Sequence, residues 1–80
     1  MTKTKAKAEP EYIMHTTDGC KYCRQAKALF EFYKIEVIFK EEKSPDWPTY
    51  PAIYRIIPDA DPLLIGGFDE LAQYSYDNGL

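Results

Sequence analysis

The chain has 80 residues, a formal net charge of −3 and a hydrophobic share of 45%. A chain of this length makes one domain with a small core, because it buries only about 60% of its unfolded surface, and its composition is that of a folded protein rather than a disordered one. The mildly acidic balance gives no reason for a nucleic-acid or membrane partner, and no apolar run approaches the roughly 20 residues that cross a bilayer.

Residues 1–10 are polar and carry no period, so they read as a flexible tail ahead of a domain at 11–80. Their lysines have no apolar stretch behind them, so no secretory leader is expected. Tyr12-Ile13-Met14-His15 is short, mostly apolar and rich in β-formers, which suits a buried central strand. Thr16 to Gly19 read as a turn, with Thr17 or Asp18 as the helix N-cap. From Cys20, small or apolar residues recur at Cys23, Ala26, Phe30 and Tyr33, with Tyr22 and Leu29 beside them. That spacing of three and four is one helical face, ending near Tyr33 or Lys34. Ile35, Val37 and Phe39 then mark a second strand. Strand, helix and strand make a right-handed βαβ unit with parallel strands.

Glu41 to Pro48 contains two prolines and is too short for a full helix, so an irregular loop or a single turn is expected. Ala52 to Ile57 read as a third strand, Pro58 to Asp61 as a turn and Pro62 to Ile65 as a fourth strand. The short link makes these last two an antiparallel hairpin. Gly66-Gly67 breaks the chain. Phe68 to about Asn78 is the last helix, with Asp69 and Glu70 in its first turn, where the dipole favours acids.

The chemistry concentrates in Cys20-Lys21-Tyr22-Cys23, which holds the only two cysteines. Cytosolic thiols stay reduced, so a lone pair at this spacing points to catalysis or to metal rather than to a structural bridge. The βαβ unit puts the pair at the carboxyl end of the first strand, where open α/β sheets place their sites. A thiol at a helix start faces free N–H groups and the positive dipole end, and both favour the attacking thiolate. Asp18 acts against this and Lys21 with it. Cys23 lies deeper in the helix and suits a resolving thiol. Zinc in structural sites takes four ligands, and His15 is the only histidine, so no metal is expected.

Three motifs carry a resemblance: Cys20-Lys21-Tyr22-Cys23, Thr49-Tyr50-Pro51, and Ile65-Gly66-Gly67-Phe68-Asp69-Glu70-Leu71. With the order β-α-β, loop, β-β-α they resemble the thioredoxin fold and, within it, the glutaredoxins, above all small phage or bacterial dithiol members. The similarity covers about residues 11–78. It implies an α/β, thioredoxin-like three-layer fold with a four-stranded mixed sheet and a reduced second helix. It also implies an enzyme, a glutathione-dependent thiol–disulfide oxidoreductase, with Cys20 attacking and Cys23 resolving. Glutathione is the implied co-substrate and reductant, and family potentials run from about −200 to −230 mV.

The resemblance carries the binding residues too. Lys21, Tyr22, Thr49, Tyr50, Pro51, Gly66, Gly67, Phe68 and Asp69 are the implied glutathione contacts. Pro51 would follow a cis bond, leaving the Tyr50 backbone free to pair with a cysteinyl backbone. Gly66-Gly67 would let a ligand approach closely. The Phe68 and Asp69 N–H groups would hold the γ-glutamyl carboxylate, and the Asp69 side chain the γ-glutamyl amine. Implied partners are glutathione and disulfide-bearing proteins, ribonucleotide reductase among them, for a monomer in the cytoplasm.

Two positions depart from the family. Thr17 stands where glutaredoxins often carry a lysine, and Lys21 stands where proline is common. Lys21 and Arg24 are the replacement charges. These departures leave open a redoxin fed by thioredoxin reductase. A glutathione-bridged iron–sulfur protein is a reading of another class. Trp47 either fills the gap left by the shrunken second helix or lies by Tyr50 as a partner contact.

Overall fold

The first strand, β1 (Tyr12–His15), sits in the middle of a four-stranded sheet in the computed structural model, which describes residues 10–79. Residues 1–9 of the expected tail, and residue 80, lie outside the described residues. β1 runs parallel to β2 (Val37–Lys40) and antiparallel to β3 (Ala52–Arg55), and β4 (Leu63–Gly66) closes the hairpin with β3. The order is β2-β1-β3-β4, so the first two strands are parallel as the βαβ pattern requires. Two helices complete the fold, α1 (Lys21–Phe32) and α2 (Phe68–Asn78). No helix among the described residues is long and apolar enough to cross a membrane.

The pleat sorts side chains by face. Tyr12 and Met14 point one way and pack with Ile53, with Ala26 and Phe30 of α1, and with Leu71 of α2. All six are at most 2% exposed, so this is the core. The Tyr12 and Phe30 rings lie 5.0 Å apart and tilted. Arg55 shields the open end of this layer. Its guanidinium sits 5.5 Å over the Tyr12 ring and donates to the Tyr74 hydroxyl at 3.0 Å. Burial raises the Tyr12 pKa above its ordinary 10.0, with the Arg55 charge opposing the rise.

Several element ends differ from the periodic reading. β2 starts at Val37, not Ile35, because Ile35 belongs to the exit of α1. Its N–H bonds the Phe30 carbonyl at 2.9 Å while Lys34 turns left-handed at φ 59°, which is a Schellman-type stop. β2 is an edge strand, so Ile38 and Phe39, on opposite faces, stay 40% and 49% exposed. β3 ends at Arg55, and Ile56 instead donates to the Glu11 carbonyl at 2.9 Å. The α2 bounds match the expected ones.

The other sheet face carries Ile13, His15 and Tyr54 and, among the described residues, has no helix over it. The reduced second helix that the resemblance implies is absent there, and residues 41–50 form an irregular loop, as their own residues led one to expect. Pro45 and Pro48 explain this, since each removes a helical donor and drives its predecessor out of the α region. Side chains pin the loop instead. His15 Nδ1 donates to the Glu42 carbonyl at 2.8 Å, and the His15 ring meets Tyr54 edge-on at 5.7 Å. Tyr54 donates to Asp46 Oδ2 at 2.9 Å. Its single hydroxyl hydrogen is then spent, so Ser44 donates to Tyr54. The Asp46 N–H returns to Ser44 Oγ at 3.1 Å, closing the ring of bonds.

Candidate functional site

Gly19 turns the chain from β1 into α1 with φ 72°, a region that favours glycine. Neither Thr17 nor Asp18 caps the helix; both are exposed in the turn. Cys20 is the N-cap, extended at φ −93° and ψ 112°, and its sulfur accepts the Cys23 N–H at 3.1 Å. A sulfur therefore takes the place of the usual side-chain oxygen. The same N–H stands ready for a thiolate at Cys20 once the pair is reduced, and a hydrogen bond to the charged form favours that form.

Cys20 and Cys23 are joined as a disulfide, with Cα atoms 5.2 Å apart. That separation lies inside the range that disulfides need, so the pair opens and closes without moving the helix backbone far. The two sulfurs differ in access. Cys20 is half-buried, whereas Cys23 is 1% exposed against the core. A molecule from solution reaches Cys20 first.

A cleft of about 200 Å³ opens on the first turn of α1 at Tyr22, with neither Cys20 nor Cys23 in its lining. Tyr22 of α1 forms one wall, Thr49, Tyr50 and Pro51 at the entry to β3 form another, and Gly67, Phe68 and Asp69 at the start of α2 form the third. Three motifs far apart in sequence thus converge on one hollow. The Tyr22 and Phe68 rings stack at 6.2 Å, joining the two helix starts. The bond before Pro51 is cis, as the resemblance implies. Phe68 and Asp69 hold first-turn N–H groups, which have no partner within the helix.

Two expected contacts lie outside the lining. Lys21 is exposed, with its ammonium 5.9 Å from the Tyr22 ring centroid. Gly66 is buried and serves packing instead. A Cβ there would lie 2.9 Å from the Glu70 side chain and 3.1 Å from the Trp47 ring, and its φ is 127°. The missing side chain lets Trp47 and Glu70 close over the β4–α2 corner.

Those two residues complete the cleft and were not among the expected contacts. Glu70 Oε1 accepts the Gly67 N–H at 3.0 Å, the reverse half of a capping box, which a glycine N-cap leaves one-sided. The Gly67-x-x-Glu70 spacing signals that bond in the sequence. Trp47 is half-buried, with its indole nitrogen enclosed and unpartnered. It packs at Gly66 and Gly67 and lines the cleft with Tyr50, the second of the two placements the sequence left open, and it is not among the residues lining the hollow on the uncovered sheet face. Among the described residues no group of three or more His, Cys, Asp or Glu side chains is placed to hold a metal. No protein-family model, curated protein or solved structure matches the chain.

Proposed function

We propose that the chain is a glutaredoxin-like thiol–disulfide oxidoreductase built on a thioredoxin-like fold and acting in the cytoplasm as a monomer. The observation that carries this reading is the unequal pair at the start of α1. Cys20 is half-buried and its sulfur accepts the Cys23 N–H, and Cys23 is shut in against the core. The fold reading is supported by the element order β-α-β, β-β-α with a parallel first pair and an antiparallel second.

The reaction runs in two exchanges. The Cys20 thiolate attacks a protein disulfide or a glutathionylated cysteine and forms a mixed disulfide, expelling one thiolate. Cys23 then attacks Cys20 Sγ, releases the reduced substrate and leaves the pair bonded. Glutathione would restore the dithiol, bound along Tyr22, Tyr50, Phe68 and Asp69. The test is a glutathione-coupled assay on a mixed-disulfide substrate. Cys20→Ser is expected to abolish exchange. Cys23→Ser is expected to stall as a mixed disulfide on protein substrates yet still act on glutathione adducts. Equal losses from both changes on a glutathione adduct contradict these roles.

A second reading keeps the chemistry and changes the electron source to thioredoxin reductase, with ribonucleotide reductase as the acceptor. It is favoured by Thr17 in place of a lysine and by a cleft lining whose only charged members are Asp69 and Glu70. Reduction by glutathione, compared with NADPH plus that reductase, separates the two.

A further inference from the structure

We infer that β2 is a self-pairing edge, by which two copies of this chain join antiparallel about a twofold axis at Ile38. The inference goes beyond the exchange activity and does not depend on it. β2 has one neighbour, β1, among the described residues, and its outer side is open. Glu36 and Lys40 give their carbonyls inward, to the Glu11 and Thr16 N–H groups at 2.9 and 2.8 Å. Backbone groups alternate sides along a strand, so Val37 and Phe39 turn theirs outward. An edge of this kind is a template for another strand. β4, the other edge, is blunted. Pro62 precedes it, its pairing with β3 is irregular between Ile53 and Tyr54, and it ends at Gly66 with φ 127°. β2 has neither proline nor glycine and pairs with β1 in unbroken step from Val37 to Lys40.

The order of charges selects the occupant. Glu36-Val37-Ile38-Phe39-Lys40 runs acid, apolar stretch, base. Reversed against itself about Ile38, it sets Glu36 opposite the partner's Lys40 and Lys40 opposite the partner's Glu36. Both side chains are exposed. Four residues apart on one strand they stand about 13 Å from each other, too far to pair within a chain. The same alignment sets Val37 opposite the partner's Phe39, so the outward N–H and carbonyl groups of each such pair exchange both bonds. Centring the axis on Val37 instead sets Glu36 opposite Ile38. Centring it on Phe39 sets Lys40 opposite Ile38 and Glu36 opposite Glu42. Charges on an edge strand ordinarily block pairing; here they single out one alignment of the strand with its own copy.

Pairing covers apolar surface on both faces. Ile38 is level with Ile13 on the face without a helix and is 40% exposed. At the axis it meets its own copy in a non-hydrogen-bonded pair, the closer of the two antiparallel spacings. On the α1 face, Phe39 is 49% exposed, with the Lys27 ammonium 5.3 Å from its ring centroid. It borders a hollow of about 320 Å³ shared with Phe30, Ile35 and Val37, which leaves room for the partner's Val37 beside it. A contact built on four-residue strands falls short of the roughly 1,200 Å² of a stable complex, so the pair is weak and reversible. No β2 residue lines the cleft at Tyr22, so the single chain remains the unit of exchange proposed above.

The test follows the full chain with the Cys20–Cys23 bond closed, so that no disulfide forms between copies. Sedimentation and translational diffusion are compared at about 20 µM, where a monomer is expected, and at about 1 mM, where a dimer is expected. Glu36→Lys and Lys40→Glu each turn both ion pairs into like charges, and each is expected to weaken pairing about tenfold or more at low salt. The first variant is basic at both positions and the second acidic at both, so the two are expected to pair with each other when mixed. Both substitutions in one chain are expected to restore self-pairing to within about threefold of the parent. A mere effect on folding would produce neither recovery. Hydrogen exchange locates the contact. At about 1 mM the Val37 and Phe39 amides are expected to slow, while those of Ile38 and Lys40, which already face β1, change least. A chain still monomeric at about 1 mM leaves this edge to a strand of another protein and overturns the inference. So does a pair protected at β4 instead of at Val37 and Phe39, a pair that survives both single substitutions unchanged, or variants that stay single when mixed. None of these outcomes touches the glutathione-coupled assay, so pairing and exchange fail separately.

Discussion

Replacing Tyr54 by phenylalanine removes one oxygen and keeps the ring, so it isolates the bonds that hold the 41–50 loop to the sheet. Tyr54 is 9% exposed and Ser44 4%. The change deletes the bond from Ser44 and the 2.9 Å bond to Asp46. Asp46 is exposed and recovers water, so its loss is small. Ser44 is enclosed and its hydroxyl hydrogen is left without an acceptor, which costs about 1–3 kcal/mol. Allowing for relaxation of the loop, the net loss is about 1–2 kcal/mol. With a urea slope of about 1 kcal/mol per molar for a chain this small, the midpoint falls by about 1–2 M. Urea unfolding followed by far-UV circular dichroism and by the emission of Trp47, the only tryptophan, measures it. The loop carries Trp47, so native emission is also expected to shift to the red. An unchanged midpoint with unchanged emission refutes the claim that this bond ring stands in for a helix.

Other changes read other parts of the structure. Gly66→Ala places a Cβ 2.9 Å from Glu70 and 3.1 Å from Trp47 at φ 127°, so it is expected to cost about 1–3 kcal/mol and to alter Trp47 emission; an urea midpoint equal to that of the parent chain argues against the close corner. Leu71→Ala empties a site that is 0% exposed between α2 and the sheet, costing about 2–5 kcal/mol and lowering the thermal midpoint by roughly 10 °C or more. Alkaline stability follows from the tyrosines. Burial is the first cause raising both Tyr12 and Tyr54 above their ordinary 10.0. The unfolded chain releases these protons first, so stability is complete below pH 10 and declines as pH rises toward the folded values. Urea midpoints measured from pH 8 to 11 are expected to drop only above about 10; a flat series contradicts the burial of these hydroxyls.

Much of the fold was legible because local signals agreed with the tertiary answer. The three-and-four spacing from Cys23 to Phe30 is the buried face of α1, and Gly66-Gly67 with Asp69 and Glu70 marked the start of α2. The motif residues were legible as a set, and seven of the nine expected contacts meet in the cleft lining. What escaped was set by distance or by atom type. The N-cap rule favours oxygen, so it pointed to Thr17 or Asp18, while the turn at Gly19 delivers the Cys20 sulfur to that place. Gly66 read as room for a ligand, and the space belongs to Trp47 and Glu70. Phe39 falls in the alternating series Ile35, Val37, Phe39, yet an edge position leaves it wet.

Losing a helix from one sheet face has a consequence for the cleft. A helix would hold that face by its own ladder of backbone bonds, largely indifferent to which side chains it met. The 41–50 loop has no such ladder and depends on His15, Ser44, Asp46 and Tyr54 to stay in place. The same loop supplies Trp47, Thr49 and Tyr50 to the cleft lining. Local stability tracks the number of buried contacts and enclosed bonds in a segment, so this wall of the cleft opens more readily than the α1 and α2 walls. Hydrogen exchange is therefore expected to be faster at residues 41–50 than in β1 or α1, and faster still in Tyr54→Phe. The cleft is then adjustable on the loop side and fixed on the helix side; under the exchange activity we propose, that would hold Cys20 still while the loop wall adapts to different chains around a disulfide. Equal protection of the loop and of β1 would rule this out and make the cleft rigid on every side.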